Sequence, residues 1–337
     1  MKKFFTLIVA LMATATTTFA QMHGGAMTFA GKASFYVSNN GAKMGETAIE
    51  SDTLLYNGAD FTLPEMVYGK MVIPSFTIKG TKFEGGYTGV NWPEQTFTST
   101  VTVDGQEKTI TGSSLKGNFN HENGLYHVTL EVTFNYGTMP MPVTYSIDSY
   151  YVKDYAGENA VEVVGDKTYK QNVTYKIRRY MDGDVEKLDV AVPSYKLDNT
   201  TIGDLNIGGY TVKGLTMDDS KGGYYKEYAH DKLTMTFGAS KNGVATMPVK
   251  EYELSKETSN NILVSFDAKN KAKIVNNFVP GAMPFNIVAT LDQSTTTGIS
   301  ALKVNSQNGA AYNLNGQRVN GNVHGIVIQG GKKIFVK

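Results

Sequence analysis

The stretch YHVTLEVTF, Tyr126 to Phe134, decides the fold class. Tyr126, Val128, Leu130, Val132 and Phe134 alternate with His127, Thr129, Glu131 and Thr133. A period of two is that of a strand with one buried and one wet face, whereas a helix would place its apolar residues three and four apart. The same alternation returns at Val143, Tyr145 and Ile147, at Val173, Tyr175 and Ile177, and at Leu233, Met235 and Phe237. Between such runs stand Asn57-Gly58, Asp104-Gly105, Asn123-Gly124, Asp182-Gly183 and Asn242-Gly243. These pairs tolerate the positive φ of a two-residue hairpin turn. Val101 to Val103, the Asp104-Gly105 turn and Lys108 to Ile110 therefore read as one hairpin. After residue 20 no run of about 12 residues carries a helical period. Glycine at 35 positions, tyrosine at 20 and phenylalanine at 16 fit turns and aromatic strands. The class expected is all-β, with short antiparallel strands arranged as a sandwich or barrel.

Laid over itself, the chain repeats at a spacing near 140 residues. Thr28 to Val37 (TFAGKASFYV) lies over Thr168 to Ile177 (TYKQNVTYKI), and Leu63-Pro64 over Val192-Pro193. Phe76 to Gly80 (FTIKG) matches Tyr210 to Gly214 (YTVKG), and Gly137 to Pro140 (GTMP) matches Gly281 to Pro284 (GAMP). The final strands, Val143 to Ile147 and Ile287 to Leu291, follow at the same distance. The offset drifts from 140 through 129 and 134 to 144, as loop insertions and deletions would make it. Two tandem β-domains are expected, at residues 24–152 and 160–292, joined by the polar segment Lys153 to Asn159 (KDYAGEN). A second joint at Gln293 to Thr297 (QSTTT) precedes a tail from Gly298 to Lys337.

Residues 1–20 read as a cleaved secretory signal: Lys2 and Lys3 are followed by the apolar run Phe4 to Met12 and by the small residues of Thr18-Phe19-Ala20. Cleavage is expected before Gln21, and no later segment offers the roughly 18 apolar residues of a transmembrane helix. The expected location is exported: periplasm, outer-membrane surface or medium. With no cysteine, disulfides, thiol nucleophiles and zinc-thiolate sites are excluded, so about 315 mature residues must be held by buried area. The balance of 32 basic and 31 acidic residues supplies no electrostatic reason for a nucleic-acid partner.

With the duplicated LP, FTIKG and GxMP anchors in view, each copy resembles the calycin-like β-barrel domain of secreted Bacteroidota proteins. That resemblance implies two small antiparallel barrels related in shape to lipocalins, which often enclose an apolar ligand. The Gly-x-Trp that lipocalins carry near their first strand has no counterpart, the single tryptophan being Trp92. The tail is similar to the C-terminal sorting segments of the same bacterial group through Tyr312, Leu314, Gly316 and Arg318, then Gly325-Ile326-Val327-Ile328, then Lys332 and Lys333. The likeness implies a short β-hairpin that engages type IX secretion machinery.

Candidate chemistry is sparse. His121-Glu122 with His127 lies on a strand at the wrong spacing for a zinc-protease helix. Cleavage before Gln21 would leave Gln21-Met22-His23, whose terminal amine, amides and third-place imidazole suit square-planar Cu(II) or Ni(II), provided Gln21 does not cyclise. Met139-Pro140-Met141-Pro142, Met247-Pro248 and Met283-Pro284 read as strand-edge breaks with methionines filling nearby core, and less readily as a soft-metal lip. Tyr150-Tyr151 and Tyr224-Tyr225 with Tyr228 are ordinary strand residues or a glycan-stacking platform. Asp52-Thr53-Leu54 resembles an O-glycosylation acceptor of this bacterial group. Nothing pairs a nucleophile with a base, so no catalytic residue, cofactor or resident metal is expected. The function expected is non-enzymatic binding of an apolar or amphipathic small molecule in the barrels; the alternative is a structural or adhesive surface protein, with glycan as a partner.

Overall fold

The computed structural model describes residues 26–294, apart from 87–88, 164–165, 257–258, 282 and 284, and the strands lying between residues 311 and 336. Every regular element described is a strand. The first ten are β1 (Met27–Asn39), β2 (Ala42–Asn57), β3 (Asp60–Leu63), β4 (Met66–Tyr68), β5 (Met71–Ile73), β6 (Phe76–Ile78), β7 (Glu84–Gly86), β8 (Gly89–Val103), β9 (Gln106–Glu122) and β10 (Leu125–Tyr136). There follow β11 (Val143–Val163), β12 (Thr168–Asp182), β13 (Val185–Val192), β14 (Tyr195–Thr200), β15 (Gly203–Ile207) and β16 (Tyr210–Asp218). The last six before the tail are β17 (Gly223–Glu227), β18 (Thr234–Lys241), β19 (Val244–Glu253), β20 (Asn261–Phe266), β21 (Ala272–Phe278) and β22 (Ile287–Asp292).

The alternation that identifies the strands also sets their faces. On β10, Val128, Leu130, Val132 and Phe134 are buried while Thr129, Glu131 and Thr133 are partly exposed. Turns follow the expected chemistry: Asp104-Gly105, Asn123-Gly124 and Asn242-Gly243 have positive φ at both central residues, and so does Asn40-Gly41, which joins β1 to β2.

β11, β12, β13, β16, β17, β20, β21 and β22 close into an eight-stranded antiparallel barrel, β22 and β12 both pairing with the second half of β11. A smaller sheet, β14-β15-β18-β19, packs Tyr195, Leu197, Leu205, Ile207, Met235 and Phe237 into the same core. The N-terminal strands pair in the order β6-β3-β2-β1-β11-β10-β9-β8-β7, using the first half of β11. Among the described residues β6 and β8 share no ladder and are linked by Ser99 Oγ donating to the Thr77 carbonyl at 2.7 Å. Where two closed barrels are expected, one closes by strand pairing and the N-terminal path stays open at that seam.

The two strand sets share registers. Phe61 and Leu63 face Ile78 and Phe76, as Val190 and Val192 face Val212 and Tyr210. The glycine ending each β6-type motif, Gly80 or Gly214, has a positive φ and donates its N–H to a carboxylate at 2.9 Å, that of Asp60 or of Asp189. Phe134 faces Val143 as Phe278 faces Ile287, and the turn between them bonds Met139 N to Tyr136 O as Met283 N to Pro280 O.

Two expectations require correction. The polar joint at Lys153 to Asn159 is not a linker: it is the middle of β11, 21 residues long and hydrogen-bonded to β12 throughout. Its inward face continues the period of two, but with Lys153, Gly157 and Asn159 at positions where apolar residues would reveal it. The overlay of Thr28 to Val37 on Thr168 to Ile177 is slipped by one strand. Val37 pairs with Val143 as Val163 pairs with Ile287, so the second half of β11 occupies the place of β1, and β12 that of β2. Neighbouring strands with alternating aromatic and hydroxyl residues look alike, which permits the slip.

Residues 293–337 form a separate unit. There β23 (Ala311–Tyr312), β24 (Arg318–Val319), β25 (Gly325–Gln329) and β26 (Lys332–Val336) pair in the order β24-β23-β25-β26. The basic end, Lys332 and Lys333, is itself a strand, so the expected hairpin is a four-stranded antiparallel sheet. Leu314 and Gly316 lie outside the described residues.

Inside the closed barrel, phenols and amides satisfy one another. Tyr175 OH and Tyr195 OH lie 2.6 Å apart, and Tyr210 OH and Tyr228 OH 3.0 Å apart. Tyr228 OH reaches Asn276 Oδ1 at 2.7 Å, and Asn276 Nδ2 donates to Tyr210 OH at 2.9 Å. A buried polar group left without a partner costs about 1–3 kcal/mol. Tyr228→Phe takes one partner each from Tyr210 and from Asn276 Oδ1, which keep only the bond between Asn276 Nδ2 and Tyr210 OH, and is expected to lower stability by about that amount in urea denaturation. Burial also raises the pKa of Tyr175, Tyr195, Tyr210 and Tyr228 above the ordinary value of 10. The native state then binds protons that the unfolded chain releases, so this contribution to stability is complete below pH 10 and is lost as pH rises towards the native values. Cooperative alkaline unfolding above pH 10 is expected, the last tyrosinate absorbance appearing as circular dichroism is lost; a folded chain with every phenol ionised would contradict it.

Candidate functional site

The barrel interiors, expected to hold a ligand, are filled by the chain's own side chains. Phe29, Phe35, Phe61, Trp92, Phe119, Phe134 and Tyr145 are fully buried in the N-terminal set, and Tyr175, Tyr228, Phe237 and Phe278 in the closed barrel. Among the described residues, these interdigitated aromatic side chains take up the interior. Among the described residues, concave surface outside the cores includes two places of note.

The larger is an open groove of about 760 Å³ across the outer face of β1 and β8 to β11. Several polar groups in or beside it are matched to one another: Lys116 pairs with Glu131 at 2.8 Å, Ser34 Oγ lies 3.1 Å from Ser146 Oγ, and Ser114 Oγ donates to Glu94 at 2.9 Å.

The second is a cleft of about 320 Å³ at the waist, where β11 passes from one strand set to the other. β10 pairs with β11 up to Tyr150, and β22 joins that edge only at Asn159. On the opposite edge β1 ends its pairing at Tyr151 and β12 begins at Val152. The cleft opens along the unladdered edge and is lined by Tyr151, Lys153 and Tyr155 of β11, Tyr126 of β10, Arg179 of β12 and Asn270 of the β20–β21 turn. Residues 151, 153 and 155 share a face because strand side chains alternate.

Tyr126 and Tyr151 meet edge to face with centroids 5.8 Å apart, and Tyr126 stacks on His121 at 4.1 Å. The Lys153 ammonium sits 4.8 Å from the centroid of the Tyr155 ring and donates to the Asn270 carbonyl at 3.5 Å. Asn270, held at φ 57°, also accepts from Tyr155 OH at 3.4 Å through Oδ1. Arg179 Nε donates to Glu186 Oε1 at 2.7 Å, and the same oxygen accepts from Tyr224 OH at 2.8 Å. Burial, and then the Arg179 charge, lowers the pKa of Lys153; burial raises that of Tyr155 to about 12. The arrangement can stack a ring and attract an anion, and it holds no nucleophile and base in contact.

Other residues singled out in the sequence lie elsewhere. Gln21, Met22 and His23 are outside the described residues. His127 Nε2 meets Asp148 Oδ1 at 2.6 Å and stacks on Tyr150, which points away from Tyr151. Among the described residues no three His, Asp or Glu side chains converge as metal ligands. Tyr224 and Tyr228 are buried, so they form no exposed platform with Tyr225. Met139, Met141, Met247 and Met283 pack against the two cores. Thr53 is exposed on β2, while Asp52 accepts from Tyr145 OH at 3.1 Å.

Residues 153–292 match the family model of the calycin-like beta-barrel domain. The match covers the closed barrel from the middle of β11 to the end of β22. No curated protein matches the chain. A crystal structure described as a "putative outer membrane protein" from Bacteroides fragilis NCTC 9343 is similar at 13% identity and a TM-score of 0.25, covering 80% of this chain and 96% of that one. At that TM-score the likeness carries no argument. No helix among the described residues is long and apolar enough to cross a membrane.

The back wall of the waist is clamped by Arg178, beside Arg179 on β12. Its guanidinium donates to the Ala30 carbonyl of β1 at 3.0 Å and to Asp189 Oδ2 of the calycin-like barrel at 2.5 Å. The two side chains are only 14% and 9% exposed. Removing one partner of a buried pair costs about 3–5 kcal/mol. Arg178→Ala is expected to destabilise the chain at the lower end of that range, since Gly214 N still donates to Asp189. Fluorescence of Trp92, the single tryptophan, should then shift to lower urea concentration together with circular dichroism.

Proposed function

We propose that this is an exported, non-enzymatic binding protein of two tandem calycin-like β-barrel units that takes a small ligand in the waist cleft, not inside a barrel. The observation that carries the reading is the contrast between filled interiors and the aromatic, cationic cleft where the two strand sets share β11. Small-molecule sites favour such junctions. The tandem reading is supported by the matched registers and by the paired Asp60–Gly80 and Asp189–Gly214 bonds. Export is supported by the signal-like residues 1–20, and the tail's similarity to sorting segments supports delivery to the cell surface through secretion machinery. The outward strand faces are polar, as Lys170, Asn172, Thr174 and Lys176 of β12 show, the reverse of a lipid-facing barrel.

A structural or adhesive role is the second reading, favoured by the same filled interiors, which would serve equally in a spacer. Ligand screening by nuclear magnetic resonance on the natively extracted chain separates the two. Binding with shifts confined to Tyr126, Tyr151, Tyr155 and their neighbours is expected. Tyr126→Ala should weaken that binding about tenfold, or about 1.4 kcal/mol. Shifts spread through a barrel core would put the ligand inside a barrel and overturn the waist site, and no ligand at all from a broad screen would favour the spacer.

A further inference from the structure

We infer that the waist cleft selects a small cyclic anion, its ring laid against Tyr126 and Tyr151 and its negative charge turned to Lys153 and Arg179. The inference rests on the reading of the cleft as the ligand site and adds the class of ligand.

The charges around the cleft do not cancel. Lys153 and Arg179 are two cations, and Glu186 is the one carboxylate bonded to either among the described residues. The other acids nearby are engaged elsewhere. Asp154, next along β11, points to the opposite face and pairs with Lys176 at 3.0 Å. Asp267, in the β20–β21 turn, accepts the backbone N–H groups of Lys269 and Lys271. Among the described residues Lys153 forms no ion pair; its ammonium has an aromatic face and a carbonyl oxygen for company. A half-buried lysine beside a second cation is electrostatically costly, and burial together with Arg179 lowers its pKa accordingly. A bound carboxylate supplies the missing partner and stabilises both cations.

The remaining walls restrict what carries that charge. Tyr126, with one face on His121, and Tyr151 line the cleft as an edge-to-face pair, an aromatic wall that suits a ring, whether the C–H face of a sugar or an aromatic plane. A volume of about 320 Å³ lies at the small end of ligand sites, which suits one ring with its substituents and excludes a long acyl chain. Asn270 acts as a positioning residue, its carbonyl fixing the Lys153 ammonium and its side chain the Tyr155 hydroxyl. Acidic sugars and aryl carboxylates share this chemistry, and the test separates them.

The experiment is calorimetric titration of the full chain with glucuronate and with 4-hydroxybenzoate, each beside its uncharged counterpart, glucose or 4-hydroxybenzamide. At least one anion should bind at least tenfold more tightly than its counterpart, and the stronger of the two anions identifies the source. Lys153→Gln should abolish that preference, bringing the affinity for the anion down to that for its neutral counterpart; Lys153→Arg should restore it, and circular dichroism should show both variants folded. Equal binding of anion and counterpart, or an anion preference that survives Lys153→Gln, overturns the inference while the waist site stands if Tyr126→Ala still weakens binding. Failure of both anions to bind at millimolar concentration overturns the inference as well. If neutral ligands bind but are insensitive to Tyr126→Ala, the waist site falls with it.

Discussion

A single unbroken strand, β11, bears hydrogen-bonded ladders to four others. Its first half is sandwiched between β1 and β10, and its second between β12 and β22. A strand cannot bend freely while its backbone groups are committed to neighbours, because each lost bond leaves a polar group to be satisfied elsewhere. The two strand sets are therefore joined by a rigid common element. The Arg178 bonds to Ala30 and Asp189 reinforce it from the side. One consequence is geometric: where β10 leaves and β22 has not yet arrived, the shared strand exposes one edge, and the cleft is that gap.

The interiors explain why recognition is assigned to the outside. In the N-terminal set the filling is almost wholly aromatic and aliphatic, with Tyr56, Phe61 and Trp92 in mutual contact at centroid distances of 4.9 to 5.6 Å. The calycin-like barrel instead buries Tyr175, Tyr195, Tyr210 and Tyr228 with Asn159 and Asn276, polar groups that depend on one another for hydrogen-bond partners. Two chemically different solutions thus occupy equivalent space. Both fill the interior with the chain's own side chains, so the barrel shape by itself says nothing about where a ligand goes.

Legibility in the sequence followed the locality of the physics. Alternation at Tyr126 to Phe134 and the Asn-Gly and Asp-Gly turns depend on residues a few positions apart, and they can be read from one chain. The LP, FTIKG and GxMP anchors could also be read because each carries a turn with fixed chemistry, down to the positive-φ glycines Gly80 and Gly214. The overlay of β1 on β12 went astray since it rested on alternation alone, which every neighbouring strand shares. The segment Lys153 to Asn159 was hidden for a different reason: its inward positions carry the polar residues that line the cleft and reach into the core network. A signal did exist, in the odd-numbered run Tyr151, Lys153, Tyr155, but it reads as a strand only once its partners are known.

The sequence by itself determined an all-β chain, its hairpins, a duplicated set of turn motifs and an export-like start, because each of these is written in local periodicity or composition. Tertiary structure alone decided that the supposed linker is the shared strand, that one barrel closes while the other path stays open between β6 and β8, and that tyrosines fill the space where a ligand was expected. It also brought Tyr126, Lys153, Arg179 and Asn270 to one cleft from four separate elements. Such proximity depends on which strand pairs with which, and pairing partners are chosen by the sum of many long-range contacts that no short stretch of sequence contains.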